Sequence, residues 1–244
     1  MSRVSRTALR VAAVVAVLVG GATVWLARPS SAVVFVAGPG VPAAHRLPDG
    51  SQLTLAPGSR AELSRGFGSE SREVRLTGAG YFDVVHDDAR PFRVRAGGGV
   101  AEDIGTRFVV RAWPELRTID VAVEEGIVAL NDSATATQVR GTELVAGQRG
   151  RLRADGTVEV TPVAAGEFDW LQGNLVFDGA PLSEALAELG RWFDVELRAD
   201  AVLADRRLSA RFRAESLPQV LDALALALDV QVRHEGRVIT LLPR

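Results

Sequence analysis

From residue 47 onward, apolar and polar positions alternate in short runs separated by turn residues. Leu47-Pro48-Asp49-Gly50 is a turn that opens onto Gln52-Leu53-Thr54-Leu55, and Glu73-Val74-Arg75-Leu76 alternates with a period of two. Tyr81-Phe82-Asp83-Val84-Val85, Phe92-Arg93-Val94-Arg95, Thr106-Arg107-Phe108-Val109-Val110-Arg111 and Ile119-Asp120-Val121-Ala122-Val123 continue the pattern, as do 126–130 and 150–160. A period of two puts alternate side chains on opposite faces, so each run predicts a half-buried strand. Turn signals every eight to twelve residues predict an antiparallel β-sandwich or a strand-stacked solenoid, and the pattern alone does not separate the two. Residues 33–36 add one strand within a proline-punctuated spacer. Tyr81, Phe82, Phe92 and Phe108 are expected to seal the β core.

Near Thr161-Pro162 the period changes. Leu182, Ala185, Leu186 and Leu189 predict a helix over 181–192, and Leu217, Leu221, Leu224 and Leu228 predict another over 217–228. Ser216 suits an N-cap, and Pro218 falls in the first turn, where its missing N–H costs nothing. Residues 177–200 align without gaps on 212–235, matching Phe177 with Phe212, Leu186 with Leu221, Asp194 with Asp229 and Val195 with Val230. Each copy reads strand, helix, strand. One copy cannot bury its own helix face, so the pair is expected to form one α+β domain. Trp170, Phe177, Trp192, Phe193 and Phe212 are expected between its helices and its sheet, and 237–242 forms a last strand, a candidate free edge.

Residues 11–27 carry no charge. With Ala8 and Leu9 the run reaches about 20 residues, enough for a ~30 Å hydrocarbon layer. Arg3, Arg6 and Arg10 precede it, while Arg28 is the one charge after it before Arg46. That bias predicts a cytoplasmic N-terminus and an exported remainder. A cleaved signal peptide, with Gly20-Gly21-Ala22 or Ser30-Ser31-Ala32 as its site, is the alternative, but the length and Trp25 favour a retained anchor.

The 244 residues hold 28 basic and 30 acidic groups, giving a net charge of −2. Every basic residue is arginine and none cluster, which argues against a nucleic-acid partner. The absence of cysteine excludes disulfides, thiolate metal sites and cysteine nucleophiles. His86 with Asp83, Asp87 and Asp88 is the one local group of metal-type ligands, yet Asp83 and His86 point to opposite strand faces and the rest reads as a turn. Glu124-Glu125-Gly126 reads as a solvated hairpin turn. Gly97-Gly98-Gly99 lacks the lysine and the helix of a phosphate loop, and no serine sits in a Gly-x-Ser-x-Gly elbow. No catalytic, cofactor or metal residue is expected, and the chain does not read as an enzyme.

Several of these stretches, taken in order, resemble the FecR family of transmembrane signal regulators. They are Leu47-Pro48-Asp49-Gly50-Ser51, Arg75-Leu76-x-Gly78 leading to Tyr81-Phe82-Asp83-Val84, and Arg90-Pro91-Phe92-x-Val94. Gly105-Thr106-Arg107-Phe108-x-Val110, Val123-x-x-Gly126-x-Val128 and Gly147-Gln148 complete the set. Residues 170–244 resemble the domain that follows in this family, which is similar to the short N-terminal signalling module of secretins and TonB-dependent receptors. The family usually has Glu-Ala after the glycine at 78, where this chain has Ala79-Gly80.

The expected layout is a cytoplasmic tail at 1–10, a transmembrane helix at 11–27, a linker at 28–45, an all-β domain at 46–162 and a β-α-β repeat domain at 168–244. The resemblance implies cell-surface signalling of the kind that regulates iron transport. The periplasmic part would bind the signalling domain of a TonB-dependent outer-membrane receptor and relay the signal to an extracytoplasmic-function sigma factor. Residues 1–10 are too few to present a standard interface of about 800 Å² per partner, so a sigma-binding domain is not expected within them. A membrane-tethered periplasmic scaffold without a sigma partner is the second reading.

Overall fold

Strands of residues 34–162 hydrogen-bond into one continuous thirteen-stranded ribbon that folds over itself as two layers. The computed structural model describes residues 32–244 apart from Ile104, Arg117, 135–140 and Glu215. The proposed tail and transmembrane helix lie outside the described residues, among which no helix is long and apolar enough to cross a membrane.

In chain order the strands are β1 (Val34–Val36), β2 (Ala43–Arg46), β3 (Gln52–Leu55), β4 (Arg60–Leu63), β5 (Arg72–Asp83), β6 (Phe92–Ala96) and β7 (Gly99–Asp103). They continue as β8 (Arg107–Ala112), β9 (Ile119–Glu125), β10 (Ile127–Asp132), β11 (Thr142–Val145), β12 (Gln148–Leu152) and β13 (Val158–Pro162). β5 belongs to both layers. Its first half pairs with β4 and β6, and its second half with β3 and β8. One layer therefore runs β1-β4-β5-β6-β7-β10-β11, the other β2-β3-β5-β8-β9-β12-β13. The inward residues of both meet in one core, with Val74, Phe92, Val94 and Leu130 from the first layer and Leu53, Phe82, Phe108 and Val121 from the second. Of the two β architectures left open, the layered one forms, partly closed like a barrel.

Three details depart from the sequence pattern. β5 and β6 pair in parallel, because β5 continues into the other layer and the chain must return before pairing with its first half. The run 150–160 is a hairpin of β12 and β13. β2, β4, β7 and β11 went unread, since runs of four or five residues carry little periodic signal.

The C-terminal part builds β14 (Asn174–Pro181), α1 (Leu182–Phe193), β15 (Glu196–Ala199), β16 (Arg207–Arg213), α2 (Leu217–Leu228), β17 (Val230–Glu235) and β18 (Val238–Pro243). The repeat is thus strand-helix-strand twice. Its first strands pair with each other, β14 against β16, and its second strands flank β18. The strand over 237–242 is therefore central, not a free edge: it alone lies between the two copies, and β15 and β17 occupy the edges. The matched residues Asp194 and Asp229 both terminate their helices in the left-handed region, at φ 55° and 52°, a conformation aspartate tolerates better than most side chains. Ser216 occupies the N-cap of α2 without a side-chain bond to the helix.

A second core holds Leu182, Leu186, Leu189, Leu221, Leu224, Phe177 and Phe212. It also takes in Trp170, Trp192 and, from the outer face of the β ribbon, Ala56, Ala79 and Val109. Apolar burial thus joins the repeat to the β part.

Candidate functional site

The residues of the family-like motifs gather in two places. The first is a buried knot. Arg72, its side chain 1% exposed, stands 3.5 Å from Asp49 and donates to the carbonyls of Val85 (2.6 Å), Arg90 (2.6 Å) and Asp87 (3.4 Å). Asp49 in turn accepts from the Ser51 amide (3.1 Å) and hydroxyl (2.9 Å), and Ser51 accepts from the Val85 amide. The turn containing Gly50 and the loop ending at Pro91 are thereby pinned to the start of β5. The guanidinium also lies over the Phe92 ring at 5.8 Å. Phe82 sits between Phe92 and Phe108, with ring centroids 5.8 and 5.3 Å apart. Tyr81 turns away from that stack, as adjacent strand residues must. It does not seal the β core: its ring meets Phe168 edge-on at 6.4 Å and its hydroxyl donates to Glu124 at 2.5 Å. Burial, together with the Glu124 carboxylate, holds its pKa well above the ordinary phenol value.

The second gathering is where the chain changes layers. Gly78 (φ 99°) marks the bend of β5, and a Cβ there would lie 2.5 Å from the Ser59 hydroxyl, which accepts from the Ala79 amide. Gly126 (φ 88°) joins β9 of one layer to β10 of the other, and a Cβ would lie 2.2 Å from the Thr106 methyl. Glu124-Glu125-Gly126 is therefore a corner between layers, not a hairpin turn, because β9 and β10 pair with different strands. Gly105 packs against His86, and Thr106 accepts from the Val84 amide. His86 lies 3.3 Å from Asp88. Among the described residues no three histidine, aspartate or glutamate side chains are grouped to hold a metal.

A cleft of about 370 Å³ lies elsewhere, between the outer face of β8, β9 and β12 and the β14–α1 segment. Its β-side wall is an ion network. Arg149 (2.9 Å) and Arg151 (2.8 Å) both bond Asp120, and Arg111 pairs with Glu167, whose side chain is 4% exposed. Arg111 also donates to the Glu167 carbonyl at 3.0 Å, fixing the linker between the two parts. Burial lowers the Arg111 pKa, and the hydrogen bond to Asp120 raises that of Arg151. At the cleft end, Arg191 of α1 lies 3.6 Å over the Trp113 ring and bonds Glu115 at 2.7 Å. The opposite wall carries Asp178, Glu184 and Glu188. Of the cleft residues the sequence singled out Trp170, Phe177 and Ala185, and those for packing. The available signal was Arg111, Arg149 and Arg151 at outward strand positions, readable as a cluster only once β9 was known to lie between β8 and β12.

A family model described as "FecR protein" matches residues 33–129, and one described as "FecR, C-terminal" matches residues 174–241. Two crystal structures of a candidate anti-sigma factor from Parabacteroides distasonis ATCC 8503, at 1.65 and 2.50 Å resolution, each superpose with a TM-score of 0.77. They are 25% and 24% identical and cover 87% of this chain and 99% of their own. A comparison with curated proteins gives no match.

Proposed function

The chain belongs to the FecR family, and from that premise we propose that it is a single-pass inner-membrane signal transducer whose periplasmic part binds the signalling domain of an outer-membrane receptor. Family membership makes it a signal-transducing regulator of a non-enzymatic class, with sigma factors or receptors as partners in general. The finer reading rests on one observation: both FecR regions follow an uncharged run at 11–27 whose basic flank is N-terminal. Such a run spans a bilayer as a helix and leaves its basic end in the cytoplasm. Residues 33–244 then stand in the periplasm, where burial alone must hold a chain without cysteine together. Signal passes as binding energy, relayed toward an extracytoplasmic-function sigma factor.

The test takes the full chain in detergent micelles and titrates it with the purified signalling domain of the receptor encoded beside it. Saturable binding is expected, and alkaline phosphatase fused after Arg244 is expected to be active in cells. An inactive phosphatase fusion, or no binding to any neighbouring receptor domain, overturns the reading.

A further inference from the structure

We infer that the cleft between β12 and β14 takes up an extended peptide segment bearing lysine or arginine, which adds as a third strand to the free edge of β14. The inference rests on the reading of the β-rich and repeat parts as a binding module, and names the place and the chemistry of the bound segment.

The first support is backbone geometry. β14 pairs on one side only, with β16. The bond from the Ala214 N–H to the Gly173 carbonyl sets the phase of that antiparallel ladder. Leu175 and Phe177 therefore bond to β16, while Asn174 and Val176 present N–H and C=O on the opposite edge, where the structure gives them no backbone partner among the described residues. Two adjacent donor–acceptor pairs at this spacing match an extended backbone. All of β14 lines the cleft, and about 370 Å³ falls within the roughly 300–1,000 Å³ of ordinary ligand sites.

A second support is the indole of Trp170. It lines the same cleft, is 4% exposed, and its N–H has no acceptor among the described residues. A buried donor without a partner costs free energy that an incoming acceptor recovers.

Charge supplies the third. All five arginines of the cleft are already bonded: Arg111 to Glu167, Arg149 and Arg151 to Asp120, Arg191 to Glu115, and Arg207 to the Gly179 carbonyl at 2.6 Å. Asp178, Glu184 and Glu188 close no ion pair within contact distance among the described residues; Glu184 acts on Arg151, and Glu188 on Arg111 and Arg191, only through space. The unmet capacity of the cleft is therefore for cations, offered by side chains of an added strand.

The probe is a labelled, terminally blocked hexapeptide of alternating arginine and valine, titrated by fluorescence anisotropy into the full chain in zwitterionic micelles. A glutamate–valine counterpart and an arginine–valine peptide N-methylated at alternate residues run beside it. Saturable binding of the first peptide is expected, with both controls failing. The Glu184→Gln/Glu188→Gln double variant is expected to weaken it about tenfold, as loss of close charge pairs does. Trp170→Phe, which keeps an aromatic ring there and removes the N–H, is expected to weaken it about fivefold. Equal binding of the glutamate peptide, of the N-methylated peptide, or by the Glu184→Gln/Glu188→Gln variant overturns the inference. The receptor signalling domain is titrated into the same variants. If it binds wild type and variant alike, the cleft assignment falls and the receptor reading stands. If the peptide behaves as expected and the receptor domain does not bind, the receptor reading falls and the cleft stands.

Discussion

Replacing Arg72 by methionine removes the cation that ties the Gly50 turn and the β5–β6 loop to the start of β5. The side chain is 1% exposed and its partner Asp49 5%, so neither is screened by water. Methionine fills much of the arginine stem but leaves Asp49 charged and buried, and strips donors from the carbonyls of Val85 and Arg90. Breaking a buried pair by removing one partner costs about 3–5 kcal/mol. For a folded unit of this size each kcal/mol lowers the midpoint by about 2–4 °C, so the expected shift is about 6–20 °C downward. The assay is thermal unfolding of the full chain in micelles, followed by far-ultraviolet circular dichroism. Asp49→Asn alone, and the Asp49→Asn/Arg72→Met pair, complete a cycle. The double variant is expected to lose less than the sum of the singles, since removing the carboxylate charge relieves the uncompensated burial. A loss below about 1 kcal/mol for Arg72→Met, the level of an exposed pair, would refute the reasoning, as would strict additivity of the two singles.

Two further predictions rest on single positions. Gly126→Ala forces a Cβ toward the Thr106 methyl in a left-handed conformation and is expected to cost about 2–4 kcal/mol. Gly147→Ala, with positive φ but nothing within 4 Å, is expected to cost only about 1 kcal/mol, and equal midpoints for the two variants would exclude the close approach. Tyr81 is the chain's one tyrosine, so absorbance at the tyrosinate band reports it alone. Its folded pKa lies above the unfolded value of about 10, so its contribution to stability is complete below that pH and declines as pH rises beyond it. Tyrosinate is expected to appear only with unfolding, and a titration near pH 10 with native circular dichroism would contradict the Glu124 bond.

Where a face is buried over several residues, the sequence was legible. β6 and most of β5 alternate between inward and outward positions, β8 and β9 are strand-like in sequence although both their faces are largely buried, and both helices carry leucines at helical spacing, so their type could be read from local pattern. The internal echo foretold strand-helix-strand twice, because each copy buries the same face. What local pattern lacks is partner identity. It could not tell that β5 serves two layers, that β6 returns parallel to it, or that β18 slips between the copies of the repeat. Arg72 lay outside the strand run read at 73–76, and its role emerges only when its carbonyl partners, 13 and 18 residues away, come beside it. The cleft was not legible at all. Arg111, Asp120, Arg149, Glu167 and Glu188 lie up to 77 residues apart and meet only through sheet pairing and packing.

By itself, then, the sequence determined the alternation that makes the β part, the helical repeat, and the uncharged run at 11–27, since burial in either a core or a bilayer is written residue by residue in side-chain polarity. Only the tertiary structure decided which strands share a layer, where the chain crosses between layers, and which charges line a common wall. Those depend on hydrogen bonds and ion pairs between segments distant in the chain, which no local period encodes.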